Sequence, residues 1–67
     1  MEWIDFIRGA VQYHVKNPQQ REGQAYSNYL FTINQKLAES VVGTEHDPFY
    51  RNDRINDLLE FLKDKEI

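Results

Sequence analysis

The feature that most limits the fold is the spacing of the apolar residues, which recur every three or four positions in three separate segments. Nowhere do they alternate over a long stretch. Spacing of this kind is typical of amphipathic helices, because it places the apolar side chains on one helical face. The pattern therefore predicts an all-α protein without a sheet. The three stripes comprise Trp3, Phe6, Ile7, Ala10, Val11 and His14, then Tyr26, Tyr29, Leu30, Ile33, Leu37 and Val41, and finally Ile55, Leu58, Leu59 and Leu62.

Two breaks separate the stripes. Asn17-Pro18 ends the first helix, because proline disfavours helical geometry at the residue before it. Gly43 suits the left-handed end of a helix, and we expect the second helix to be continuous up to that point. The elements should pack as a small three-helix bundle. We predict helices over about 2–16, 18 or 21 to 42, and 53–65, with a short turn at 47–50.

The chain length and the lack of cysteine limit the kinds of site that the protein can form. Its 67 residues make a single domain, 1–67, since domains usually hold ~50–200 residues. A chain this short seldom encloses a substrate pocket of ~300–1,000 Å³. Without cysteine it has no disulfides, thiolate metal sites or cysteine nucleophile. Small secreted domains usually need disulfides or bound metals for stability, so we expect a cytoplasmic protein. No apolar run is long enough to cross a membrane.

The charge is concentrated in the last third of the chain. Residues 1–43 are neutral overall, and residues 44–67 hold seven acids against four bases, which accounts for the whole net charge of −3. Nucleic-acid-binding domains usually carry a basic patch or stripe. An acidic terminal third would repel phosphate, so the charge distribution argues against nucleic acid as a partner.

The sequence offers little that resembles a catalytic or metal site. The two histidines, His14 and His46, lack the spacing that places two ligands on one helix face. His46-Asp47 is an acid/base pair on a loop, but Asp47 also suits a capping role. No glycine-rich phosphate loop is present. We therefore expect a protein that is not an enzyme, with no catalytic, cofactor-binding or metal-ligating residues.

The second predicted helix has a second apolar stripe. Phe31, Ala38 and Val42 point about a third of a turn or more away from its main face. A central helix that touches both neighbours would bury this stripe. Alternatively, an exposed Phe31 beside Tyr26 or Tyr29 would serve as a partner surface or a homodimer interface. The candidate partner surface consists of Phe31, Ala38, Val42 and Tyr26.

Three segments carry a resemblance to known proteins. Arg21 to Leu30 reads R-x-G-Q-A-x-x-N-x-L, Gly43 to Tyr50 reads G-T-x-x-D-P-F-Y, and Arg54 to Leu62 reads R-I-x-x-L-L-x-F-L. Together they resemble a group of small, largely uncharacterised helical proteins of bacteriophage and bacterial genomes. The resemblance covers most of the chain from Arg21 onward. It implies a small helical phage-type protein, placed in the host cytoplasm if phage-encoded, and assigns no activity.

The first of these segments also contains a column of polar residues. Arg21, Gln24 and Asn28 follow one another at helical spacing on one face. This column would hydrogen-bond the connector that carries Thr44 and Asp47, or pair Arg21 with a carboxylate. Amide side chains in such a column are more often satisfied within the fold than offered to a ligand. We therefore interpret Arg21, Gln24, Asn28 and Asp47 as a structural polar column.

Two functions fit these features. The first is a small soluble protein-binding module, a phage-type accessory protein that docks on or inhibits a host or phage protein. The second is a homo-oligomeric structural or assembly protein, such as a homodimer, in which the surplus apolar stripe binds a second copy. The sequence does not name the partner and implies no cofactor.

Overall fold

The fold is entirely helical. A computed structural model describes all residues, 1–67, and contains no strand, which confirms the all-α prediction. None of its helices combines the length and the apolar composition needed to cross a membrane. The elements are α1 (Trp3–Lys16), α2 (Glu22–Ile33), α3 (Gln35–Val41), a 3-10 turn (Asn52–Arg54) and α4 (Ile55–Lys63).

The structure has four α-helices, so the predicted continuous helix up to residue 42 is wrong. The break lies at Asn34, whose backbone is not helical (φ −156°, ψ 82°). Its N–H donates to the Leu30 carbonyl at 2.8 Å and closes α2. Its side-chain Oδ1 accepts from the Leu37 N–H at 3.0 Å and begins α3. Asparagine suits this position because its side chain replaces the missing backbone acceptor at a helix start.

The outer boundaries lie close to the predicted ones. The first helix matches its prediction, and α2 begins at Glu22, near the later of the two predicted starts. The last predicted helix, 53–65, begins as the 3-10 turn and ends at Lys63.

The core forms where α1, α2 and α4 meet, with α3 packed on α2. The Phe6 ring lies 6.2 Å from that of Tyr26 and 5.6 Å from that of Tyr29. Trp3 Nε1 donates to the Leu59 carbonyl at 2.7 Å and ties α1 to α4. Burying this cluster is the main stabilising contribution to the fold. Its buried members are Phe6, Ala10, Tyr26, Leu30, Ala38, Val41, Leu58 and Leu62.

The start of α2 lies directly against the connector that follows α3. Gly23 is buried there, and a Cβ on it would collide with the carbonyl oxygen of Pro48. Glycine is needed because the two backbones approach more closely than any side chain permits. This contact fixes where the connector crosses α2.

Candidate functional site

The connector, residues 42–51, is organised by the carboxylate of Asp47. Its Oδ1 accepts from the Phe49 N–H at 3.0 Å and from Ser27 Oγ at 3.3 Å. Its Oδ2 accepts from the N–H of Gly43 at 3.0 Å, and Gly43 has the left-handed φ of 79° that ends α3. One side chain therefore holds the backbone just after Asp47, the end of α3 and the Ser27 hydroxyl of α2. The hydrogen-bonded turn that follows runs from Pro48 to Arg51, one residue later than the predicted 47–50.

Two further hydrogen bonds fasten the connector to the start of α2. Arg21 Nη2 donates to the Phe49 carbonyl at 2.7 Å. Asn52 Oδ1 accepts from the N–H of Gly23 at 2.8 Å. With Pro48 buried against Gly23, the connector is held at several points along its length.

The residues of the predicted polar column do not form one continuous hydrogen-bonded network. Arg21 reaches the connector through Phe49. Gln24 Oε1 accepts from the Arg21 N–H at 3.4 Å. Asn28 Nδ2 donates to Gln20 Oε1 at 3.1 Å, back toward the loop after α1. Asp47 meets Ser27 instead of any of the other three.

An apolar groove opens between α2, α3 and the connector. Its volume is about 280 Å³, and most of its lining is hydrophobic. Because one wall is the connector, the Asp47 hydrogen bonds that hold the connector also shape the groove. The walls are Leu30 and Phe31 of α2, Ala38, Val41 and Val42 of α3, and Phe49 and Tyr50 of the connector, together with Leu58 of α4.

Three of the four residues of the predicted partner surface line this groove. Phe31 and Val42 are exposed at its walls, while Ala38 lines it from a buried position. Tyr26 lies elsewhere, buried against Phe6. Burial, reinforced by the negative charge of Glu22, raises the pKa of the Tyr26 hydroxyl.

Sequence reasoning did not place Phe49 and Tyr50 at this surface. Phe49 is half-buried, whereas Tyr50 is almost fully exposed, and their rings meet edge to face at 4.8 Å. An aromatic pair in a loop predicts rings that plug the end of the core, since large aromatic side chains seldom occur in a loop without something to pack against. The exposure of Tyr50 shows that this prediction is wrong for Tyr50.

One carboxylate, that of Asp47, lines the mainly apolar groove. Asp47 has three hydrogen-bond donors, but no basic side chain lies within ion-pair distance of it. The ion pair that does form joins Arg51 to Asp53 at 2.7 Å on the protein surface. The groove therefore combines apolar walls with a negative charge that no cation of this chain neutralises.

The histidines take no part in this site. The His46 ring stacks on Phe61 with 4.7 Å between centroids, and its Nδ1 is buried without a hydrogen-bond partner. His46 and Asp47 are adjacent in sequence but do not hydrogen-bond to each other. His14 Nε2 lies 2.9 Å from the Gln20 carbonyl. No cluster of three or more potential metal ligands is present.

Comparison of the chain with protein-family models, with curated proteins and with solved structures gives no match.

Proposed function

We propose that this chain is a small protein-binding module and that the groove is its binding surface. The observation that carries the proposal is the exposure of three bulky apolar side chains around one groove. Phe31, Val42 and Tyr50 are 38%, 56% and 81% exposed. Apolar side chains that cluster at one concave place on a monomer are typical of a surface that a partner covers.

The aromatic lining of the groove favours a polypeptide segment as its ligand. Aromatic walls such as Phe31 and Tyr50 are common at the energetic centres of protein interfaces. A helix or extended segment that inserts a few apolar side chains is the kind of ligand such a groove accepts.

The resemblance of the sequence to small phage proteins supports a phage setting for the proposed module. In that setting the module is a phage-type accessory protein of the host cytoplasm, which docks on or inhibits a host or phage protein. Binding alone is sufficient for this role, and it requires neither a cofactor nor a catalytic residue.

A homo-oligomeric assembly protein is the second candidate function. The specific observation in its favour is an exposed aliphatic face on α1, formed by Ile4, Val11 and Val15. A chain with an unpartnered groove and an unpartnered aliphatic face can bind a second copy of itself.

Site-specific photo-crosslinking tests the proposed function. The photoreactive residue p-benzoylphenylalanine replaces Tyr50 in one variant and Asn56 in a control variant. Asn56 is exposed on α4, two residues and so about 200° of helix away from the groove residue Leu58. We expect irradiation in the native host to give a discrete protein adduct from position 50 and none from position 56. Equal yields from both positions, or no adduct from position 50, would overturn the proposal.

A further inference from the structure

Helix α1 presents an aliphatic ridge to solvent on the side that does not face the core. Ile4, Arg8, Val11 and Val15 form this ridge, because at 100° per residue they fall within about 60° of one another. The three aliphatic members are 46%, 46% and 73% exposed. The core contacts of α1 come from Trp3, Phe6 and Ala10 instead, so the ridge is not needed to hold α1 in place.

The ridge carries a cation without a partner. Arg8 is exposed and makes no ion pair or side-chain hydrogen bond within the chain. In α1 as a whole, Arg8 and Lys16 against Asp5 leave a charge of +1. Of the residues that line the groove, Asp47 alone is charged. The ridge and the groove therefore carry opposite charges.

We infer that the α1 ridge of one copy docks into the groove of a second copy. The inference rests on the proposed function, since it names the partner of the same groove. Apolar side chains of the ridge contact the apolar walls of the groove. Arg8, which lies among them on the ridge of one copy, pairs with the Asp47 carboxylate of the second copy. Opposite charges on the two faces also fix the orientation and speed the encounter.

The ridge and the groove are different surfaces, so the contact is heterologous. A dimer leaves one groove and one ridge free, and assembly continues head to tail unless the geometry closes a ring. A foreign protein that uses the groove competes with the ridge for it. Self-association and capture of another protein are therefore mutually exclusive at each groove.

Light scattering of two single variants tests the inference. Val11→Asp places a charge on the ridge and Val42→Asp places one in the groove, both at exposed positions. Asn56→Asp adds the same charge at an exposed position of α4 and is the matched control. We expect the mean mass of the wild type and of Asn56→Asp to rise progressively with concentration, and both valine variants to remain monomeric.

Mixing the two valine variants is the decisive step. Val11→Asp keeps an intact groove and Val42→Asp keeps an intact ridge, so the mixture should form a one-to-one dimer that grows no further. A mixture that stays monomeric would overturn the inference. So would a single variant that still dimerises alone, because it would show a contact of groove with groove or of ridge with ridge.

The charge pairing has its own variants. Arg8→Glu should abolish self-association and Arg8→Lys should retain most of it, and added salt should weaken the wild-type contact. A wild type that is monomeric at every concentration would refute the self-docking inference alone, since the photo-crosslink from position 50 would still report a foreign partner. No crosslink of any kind would refute the proposed function and this inference together.

Discussion

Removing the Asp47 carboxylate tests whether one side chain organises the connector and the groove. In Asp47→Ala, the N–H groups of Phe49 and Gly43 lose the acceptor that they contact at 3.0 Å. The Ser27 hydroxyl also loses a partner, but its 3.3 Å distance is longer than the ~2.5–3.0 Å of a good O–H···O bond. The two backbone bonds therefore decide the effect.

Each of these backbone bonds contributes about 0.5–1.5 kcal/mol net. Their joint loss should lower the free energy of unfolding by about 1–3 kcal/mol. At ~0.05–0.15 kcal/mol per residue, a domain of this length has only about 3–10 kcal/mol in total. Asp47→Asn keeps one carbonyl oxygen, so it should lose about half as much. Ser27→Ala should lose less than either variant.

Urea unfolding followed by Trp3 fluorescence measures these differences, because Trp3 bridges α1 and α4 and is the only tryptophan. With a slope near ~1 kcal/mol per molar urea, the Asp47→Ala midpoint should fall by about 1–3 M. An unchanged midpoint in Asp47→Ala would refute the reasoning. A loss in Ser27→Ala equal to that in Asp47→Ala would also contradict it, because the serine contact would then dominate.

Three further changes test other parts of the structure. Asn34→Ala removes the cap that begins α3 and should cost about 0.5–2 kcal/mol of unfolding free energy, whereas no loss would mean that the break needs no cap. Gly23→Ala forces a Cβ against the Pro48 carbonyl and should cost about 1–3 kcal/mol; a stabilised variant would contradict the close approach. The hydrogen bond from Arg51 lowers the pKa of Asp53 below its ordinary value, so stability from this carboxylate is present above the unfolded-state pKa and is lost as the pH falls through the folded-state pKa. A nuclear magnetic resonance titration should show Asp53 ionising at lower pH than an ordinary aspartate, and Arg51→Ala should remove most of that shift.

The helices could be predicted from the sequence because their apolar stripes follow one period, but the break at Asn34 could not. Leu30, Ile33 and Leu37 are spaced as in one continuous helix, so the pattern passes through the break without a change. A single capping residue alters the backbone at one position and leaves the apolar period almost intact. The one available sign was an asparagine, which is a better cap than an interior helical residue.

The groove could be predicted in part. Phe31 and Val42 were found because they lie on helices, where spacing tells which side chains share a face. Tyr50 was not found, because residues in a connector follow no helical period that would show which side chains share a face. Its position depends on the Asp47 and Arg21 hydrogen bonds, which join residues far apart in the sequence.

The groove should bind a polypeptide through its exposed rim, Phe31, Val42 and Tyr50, which the fold does not require. Val42→Asp tests this prediction most directly when the urea midpoint and the photo-crosslinking yield from position 50 are measured on the same variant, with Asn56→Asp as the control. Val42 is exposed, so we expect the unfolding free energy to change by no more than about 0.5 kcal/mol while the adduct disappears. An adduct that persists at wild-type yield in the folded Val42→Asp protein would contradict the claim.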